Sequence, residues 1–137
     1  MTYTLEEKFA LAKQAYDNAY VPYSNFRVGA VLILKDGTTI TGSNVENASY
    51  GLTNCAERSA LFTAYSKGLR KDDILEIIIL ANPTKGITSP CGACRQVITE
   101  LMNQDAKVTM INLKKDVLTC EVKDLVPFAF TSGDLHE

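Results

Sequence analysis

The sequence predicts an α/β protein in which helices pack on a mixed sheet of five strands. The predicted elements follow one another as helix, two strands, helix, strand, helix and two strands. The run from Ile74 to Leu80 is almost continuously apolar, as in a central strand that is covered on both faces. The chain has 137 residues and 46% hydrophobic content, enough for a core without disulfide support. We therefore expect one domain over residues 1–137.

The first predicted element is an amphipathic helix. Thr4-Leu5-Glu6-Glu7 has the pattern of a capping box, in which Thr4 and Glu7 satisfy each other's backbone N–H groups. Apolar residues then recur at helical spacing until Pro22 stops the pattern. They are Leu5, Phe9, Ala12, Tyr16 and Ala19.

A hairpin and a second helix follow. Residues Phe26 to Lys35 and Thr38 to Ser43 favour strands, and the Asp36-Gly37 pair between them is typical of a two-residue turn. Asn44 to Asn54 is polar and indicates a loop. Helical periodicity runs from Cys55 to Lys67 and stops before Gly68, so Cys55 opens a helix.

The second half of the chain adds the remaining elements. The strand Ile74 to Leu80 leads through a loop to a helix that Cys91 opens and that continues to about Asn103. Lys107 to Leu113 and Val117 to Val122 favour two strands joined by a tight turn. We expect the tail from Leu125 to Glu137 to be partly helical.

Charge and hydropathy exclude several classes of protein. The net charge is −2, and the basic residues are spread along the chain, which argues against a nucleic-acid partner and favours a small ligand of little charge. No apolar stretch approaches the ~20 residues that span a bilayer, and the first residues lack a signal-peptide pattern. We therefore expect a soluble, cytoplasmic protein without a membrane partner.

Three of the four cysteines suggest a metal site. In a reducing compartment disulfides are rare, so metal ligation or thiol chemistry is the better interpretation. Cys91 and Cys94 are three positions apart at the start of one helix, and Cys55 starts another. Helix N-termini favour anions, and three protein ligands with one open position are typical of catalytic zinc. Cys120 lies in a late apolar segment and is predicted to be a small core residue.

Glu57 indicates which chemistry the metal site supports. It lies two residues after Cys55 and so does not share its helix face, which lets the carboxylate act beside the metal without being a ligand. Zinc that generates hydroxide from water, with a glutamate that moves protons, resembles the centre of zinc-dependent hydrolytic deaminases. Alternatively, Glu57 is a first-turn glutamate that only complements the helix dipole.

Arg58 is the candidate for balancing the charge of the site. Three thiolates and a hydroxide around Zn²⁺ sum to about −2, which weakens the metal as a Lewis acid. We expect Arg58, next to Glu57, to donate hydrogen bonds to the cysteine sulfurs. The alternative is an exposed helix arginine.

Two other interpretations of the cysteines stay open. Cys120 or His136 could complete a closed, structural zinc site with four ligands. Cys91-Gly92-Ala93-Cys94 could instead be a redox pair.

Five ordered blocks resemble the small, homotetrameric, zinc-dependent cytidine deaminase family, and the resemblance covers nearly the whole chain. The blocks are Val21 to Ala30, Asn44 to Tyr50, Cys55 to Arg58, Ser89 to Gln96 and Pro127 to Phe130. The resemblance implies a three-layer sandwich with helices on both faces of the sheet and one Zn²⁺ per subunit.

The resemblance also implies the residues that bind a nucleoside. Asn44 and Glu46 would bind the ribose hydroxyl at the 3′ position, and Phe26 would pack against the pyrimidine. An amide and a carboxylate two residues apart at a strand end suit a sugar hydroxyl better than a phosphate. The backbone N–H of Ala56 would hold the carbonyl oxygen of the base. Without the resemblance, Asn44 and Glu46 would be interpreted as part of a polar turn.

The family builds each site from more than one subunit. The resemblance therefore implies that Ala48, Tyr50 and Phe130 reach the ligand of a neighbouring chain in a homotetramer. From the residues alone, Phe130 would equally suit core packing.

The implied reaction is hydrolytic deamination of cytidine and deoxycytidine to uridine and deoxyuridine in pyrimidine salvage, with Glu57 as the catalytic residue. The nearest alternative is a deaminase of another cytosine nucleoside, such as blasticidin S. A nucleic-acid-editing deaminase is disfavoured because no basic channel is evident. A structural zinc module without catalysis is the alternative from a different class.

Overall fold

The computed structural model describes residues 2–135 and has an α/β fold of helices and strands in the predicted order. The elements are α1 (Leu5–Asp17), β1 (Val28–Leu34), β2 (Thr39–Ser43), α2 (Ala56–Ser66), β3 (Ile74–Ala81), α3 (Gly92–Leu101), β4 (Lys107–Ile111) and β5 (Val117–Glu121).

The five strands form one mixed sheet in the order β2-β1-β3-β4-β5. The β1–β2 hairpin, β1–β3 and β4–β5 are antiparallel. Only β3 and β4 are parallel, and α3 supplies the crossover that a parallel pair requires. The prediction of a mixed five-stranded sheet is confirmed.

Helices cover both faces of the sheet. On one face, α1 packs over a small apolar cluster, and on the other, α2 and α3 pack over a larger one. Alternate residues of a strand point to opposite faces, so β1 supplies Val31 and Ile33 to the first cluster and Ala30 and Leu32 to the second. The predicted three-layer sandwich is confirmed.

The first helix starts where the sequence predicts and ends sooner. Thr4 Oγ1 accepts the N–H of Glu7 at 3.2 Å, and the Glu7 carboxylate accepts the N–H of Thr4 at 2.9 Å. The helix ends at Asp17, so Ala19 lies beyond it. The chain leaves the helix early because Tyr20 pairs with the segment after β2, donating its N–H to the Asn44 carbonyl at 2.9 Å.

The start of β1 and the tail also differ from the prediction. The first strand begins at Val28 and not at Phe26, because the side chain of Asn44 occupies the backbone groups on either side of Arg27. The tail is less helical than expected, with a single 3-10 turn at Ser132–Asp134 among its described residues. His136 and Glu137 lie outside the described residues.

A buried ion pair joins α1 to the sheet. Lys8 Nζ lies 3.0 Å from the carboxylate of Glu76, whose side chain is 9% exposed on β3. The hydroxyl of Thr109 on β4 donates to the same carboxylate. The negative charge of Glu76 is therefore both paired and hydrogen-bonded, as a buried charge must be.

A close contact between β2 and α2 sets the position of the second helix. A Cβ atom at Gly42 would lie 2.5 Å from the Ala56 carbonyl oxygen and 2.5 Å from the Ala60 nitrogen. Only a residue without a side chain lets the helix backbone come this close. Since Ala56 is the first residue of α2, the contact also places the residues at the helix start.

We expect the Gly42→Ala substitution to lower the free energy of unfolding by about 1–3 kcal/mol, because the added methyl group forces α2 away from the sheet. Denaturant unfolding followed by circular dichroism measures the change. Gly51→Ala is the matched control, since a Cβ there meets nothing within 4 Å. Equal stability of the Gly42→Ala variant and the unsubstituted protein would show that the contact does not constrain the helix.

Candidate active site

Two helix N-termini present cysteines to one place. Cys55 is the N-cap of α2 and Cys91 is the N-cap of α3, both with extended backbone. Their carbonyl oxygens accept the first helical hydrogen bonds, from Ser59 and Arg95 at 3.0 and 2.9 Å. Neither thiol caps its own helix. Both sulfurs are thus available to a ligand that lies between the helices.

The three cysteine sulfurs form a compact cluster. Those of Cys55, Cys91 and Cys94 all lie within 4.8 Å of one another. Tetrahedral zinc with Zn–S bonds of ~2.3 Å needs sulfurs that are roughly 3.8 Å apart, so the donor set fits this metal. Within residues 2–135 no fourth Cys, His, Asp or Glu joins the cluster, so this part of the chain offers three ligands, the number that catalytic zinc sites use.

Cys120 does not take part in this cluster. It is half-buried on β5 and packs against the core beneath α2 and α3, as the sequence predicts. The fourth ligand of a closed site is therefore not Cys120. His136, the other candidate, lies outside the described residues.

The thiols of the cluster differ in acidity. A hydrogen bond from Cys94 and, to a smaller extent, one from Arg58 lower the pKa of Cys55 to about 5. The same bond to Cys55, together with burial, raises the pKa of Cys94. The shared hydrogen bond thus favours the thiolate form of Cys55, the sulfur to which Arg58 also donates.

Arg58 lies against the cluster. Its Nη2 donates to Cys55 Sγ at 3.1 Å, and its side chain is partly buried. The contact with the sulfurs raises the pKa of the guanidinium, which stays charged. Arg58 Nε is buried and has no partner among the described residues. The arginine brings a positive charge to a site that collects negative charge.

Glu57 is buried beside the cluster. Only 5% of the residue is exposed. Burial, with a smaller contribution from the charge of Cys55, raises the pKa of Glu57 to about 6. A carboxyl group in this range can take up and release a proton near neutral pH. The carboxylate is not a member of the three-sulfur cluster, in keeping with a group that acts beside a metal.

A cavity of about 270 Å³ opens over the cluster. Its walls contain most of the residues that the sequence analysis selected, namely Phe26, Asn44, Glu46, Tyr50, Cys55, Ala56, Glu57 and Cys91. Cys94, Arg58, Ala48 and Phe130 are not in its walls. Cys94 is fully buried at the cluster, and Phe130 is 58% exposed.

Two polar residues of the cavity wall, Asn44 and Glu46, form hydrogen bonds with residues 23–28, and together these residues form the rim of the cavity. Asn44 accepts the N–H of Val28 at 2.9 Å and donates to the Phe26 carbonyl at 2.8 Å. Glu46 accepts hydrogen bonds from Tyr23 and Ser24. The Ser24 hydroxyl is the main cause that lowers the pKa of Glu46, so this carboxylate is ionised at neutral pH.

Sequence reasoning missed several residues of the wall. They are Ser24, Val28, Thr53, Asn54, Ile79, Thr88 and Ser89. Thr88 and Ser89 come just before Pro90-Cys91, so their closeness to a metal ligand was a usable signal. Ile79 had none, because it belongs to the run from Ile74 to Leu80, whose apolar residues all resemble core.

Three cysteines at two helix N-termini, with a buried glutamate and a cavity above them, define the site of a zinc-dependent deaminase. The chain belongs to the cytidine and deoxycytidylate deaminase family, whose zinc-binding region matches residues 2–110. The resemblance to the zinc-dependent cytidine deaminase family that the five sequence blocks carry is thereby confirmed.

Close relatives and a solved structure agree with this assignment. The chain is 55% identical to cytidine deaminase from Halalkalibacterium halodurans over 126 residues, which are 92% of this chain and 93% of the relative. It is 47% identical to that from Sporosarcina psychrophila, over 96% and 94%. A crystal structure of cytidine deaminase from Burkholderia pseudomallei, 46% identical, superposes with a TM-score of 0.88 and covers 95% of this chain and 100% of that one.

None of the helices within residues 2–135 is both long and apolar enough to cross a bilayer.

We expect the purified protein to hold about one zinc per chain, and the Cys94→Ser variant to lose most of it, because a hydroxyl is a far weaker zinc ligand than a thiolate. Elemental analysis after gel filtration measures the ratio. Cys120→Ser is the matched control and should keep its zinc. Equal zinc in the two variants would contradict the three-cysteine site.

Proposed function

We propose that this chain is a zinc-dependent cytidine deaminase, which hydrolyses cytidine and deoxycytidine to uridine and deoxyuridine and releases ammonia. The observation that supports this most directly is that the buried Glu57 borders the same cavity as Cys55 and Cys91 of the cysteine cluster. The relatives named cytidine deaminase, at 55% and 47% identity, support the same reaction.

The chemistry divides between the metal and one carboxylate. Zinc, when bound by the three thiolates, lowers the pKa of water and so supplies hydroxide near neutral pH. Glu57 takes the proton that the water loses and delivers it to ring N3, which makes C4 of the base electrophilic. Glu57 then takes the second proton, from the hydroxyl group that C4 has gained, and passes it to the amine, which leaves as ammonia while that oxygen becomes the carbonyl of the product. A pKa of about 6 suits a group that carries a proton in both directions.

The remaining residues hold the nucleoside. Asn44 and Glu46 bind the ribose hydroxyl at the 3′ position, Phe26 packs against the pyrimidine, and the N–H of Ala56 holds the base carbonyl. Ala56 is the first residue of α2, where the helix has no acceptor for that N–H. The ionised Glu46 disfavours a phosphate nearby, which supports a nucleoside as the substrate over a nucleotide.

We expect the Glu57→Ala variant to lose at least about a hundredfold in kcat, because positioned proton transfer contributes factors of this size or larger. Ammonia release from cytidine measures the turnover, and elemental analysis confirms that the variant keeps its zinc. Near-normal turnover in a zinc-loaded Glu57→Ala protein would contradict the assigned role.

The same assay decides between the candidate substrates. Cytidine, deoxycytidine, cytidine monophosphate and blasticidin S are tested side by side with the zinc-loaded protein. Turnover of the two nucleosides alone supports the proposal. Activity on blasticidin S alone would indicate a deaminase of that nucleoside instead. The absence of turnover with all four compounds would favour a structural zinc module.

The proposal extends to a homotetramer in which Ala48, Tyr50 and Phe130 reach a neighbour's ligand. Large apolar side chains exposed in a single chain support assembly, since such groups mark interaction surfaces when they cluster. Tyr50 is 64% exposed at the cavity wall, Leu52 nearby is 71% exposed, and Phe130 is 58% exposed. A single catalytic domain over residues 1–137, a cytoplasmic location and a role in pyrimidine salvage without a nucleic-acid or membrane partner complete the proposal.

If sites are shared, two inactive variants should restore each other. We expect Phe130→Ala chains and Glu57→Ala chains, each poorly active alone, to regain turnover when they are mixed and reassembled, since hybrid sites can combine an intact Glu57 with a partner's intact Phe130. Light scattering gives the mass of the assembly. Reassembled mixtures that stay as inactive as their parents would contradict shared sites.

A further inference from the structure

The segment that carries Phe26 rests on the segment that carries Asn44 and Glu46. The N–H of Tyr20 donates to the Asn44 carbonyl at 2.9 Å, and the N–H of Glu46 donates to the Tyr20 carbonyl at 2.9 Å. Between Tyr20 and Phe26 the chain makes a tight turn, with Asn25 at φ 60° and its N–H bonded to the Val21 carbonyl at 3.0 Å. The rim of the cavity is thus one folded unit.

The carboxylate of Glu46 is almost fully used inside this unit. Oε1 accepts the N–H groups of Tyr23 and Ser24 at 3.0 and 3.1 Å. Oε2 accepts the hydroxyl of Ser24. A carboxylate has about four acceptor positions, so three bonds leave about one for a ligand. The direction in which the remaining acceptor position of Glu46 points therefore depends on how the three hydrogen bonds orient the carboxylate.

The same hydroxyl is bonded on its other side. Ser24 Oγ accepts the N–H of Phe26 at 3.0 Å. A hydroxyl has one hydrogen and two lone pairs, so donating to Glu46 and accepting from Phe26 use it in both roles. Ser24 is therefore the direct link between the carboxylate of Glu46 and the backbone of Phe26.

We propose that Ser24 is a positioning residue of this site, whose hydroxyl sets the Glu46 carboxylate and the Phe26 ring together and thereby controls the affinity for the nucleoside. The inference rests on the proposed function, in which Glu46 binds the sugar and Phe26 the base. Ser24 lies in the cavity wall with both of them, while Glu57 and the cysteine cluster are held by α2 and α3. Its effect should therefore fall on binding and not on the chemical step.

The structure also predicts which substitutions are tolerated. Ala at position 24 loses both bonds and leaves the carboxylate with its two backbone donors alone. Thr keeps a hydroxyl on the same carbon, and Ser24 is exposed, which gives the extra methyl group room. Thr is therefore the conservative replacement.

The test is steady-state deamination of cytidine by the zinc-loaded protein and its variants. We expect Ser24→Ala to raise KM about tenfold, the size of one hydrogen bond to a charged group, with kcat within about twofold. Ser24→Thr should restore KM to within about twofold of the unsubstituted value. Calorimetric titration with uridine should show the same loss and recovery of affinity without turnover.

Ser43→Ala is the matched control. Its hydroxyl donates to the Ala15 carbonyl, on α1, and Ser43 is not in the cavity wall. The variant also loses a serine hydroxyl hydrogen bond, here to a neutral carbonyl outside the cavity, so KM should stay unchanged. A KM in Ser43→Ala that rises as far as in Ser24→Ala would overturn the inference, because the effect would then reflect general loosening.

A double-mutant cycle with Glu46→Gln tests the route of the effect. If Ser24 acts through Glu46, the two substitutions together should raise KM by less than the product of their separate factors. Independent factors, or a Ser24→Ala protein with unchanged KM, would overturn the inference while the deaminase assignment stands. An unsubstituted protein that deaminates no nucleoside would overturn the proposed function, and this inference with it.

Discussion

The structure depends on the convergence of two helix N-termini on one point. Helices α2 and α3 lie on the same face of the sheet, and their N-caps are Cys55 and Cys91, two of the three cysteines of the cluster. Core residues such as Leu61 and Ile98, both fully buried, hold the two helices there. Because each thiolate also lies at a helix N-terminus, the helix dipoles offset part of the repulsion between them. Hydrophobic packing of the two helices thus holds together three thiolates that would otherwise repel one another.

The opposite side of the cavity is organised by polar contacts. Asn44 and Glu46 are hydrogen-bonded to the backbone of the segment that carries Phe26. Groups held in this way lose little freedom when a ligand arrives, which favours affinity. The helix starts that carry the cysteines and Glu57 are therefore held by the hydrophobic core, and in the proposed function they serve the chemistry. The segment with Asn44 and Glu46 is held by hydrogen bonds, and in the proposed function it serves substrate recognition.

Elements with strong local signals were predicted well. The capping box at Thr4 and Glu7 marks the start of α1, and the apolar run from Ile74 marks the central strand. The end of α1 and the start of β1 were predicted poorly, because the chain there follows contacts with Asn44, which lies far away in sequence. The sequence predicts a partly helical tail, yet its described residues hold only a short 3-10 turn.

The sequence by itself determined the kind of site, since donor types, their spacing and helix starts are local properties of Cys55, Glu57 and Cys91-Gly92-Ala93-Cys94. Only the tertiary structure decided that Cys55 meets the other two sulfurs, that Glu57 is buried enough to raise its pKa to about 6, and that Ser24 joins the two halves of the rim. The physical reason is that burial and hydrogen-bond partners come from segments remote along the chain, which no local pattern records.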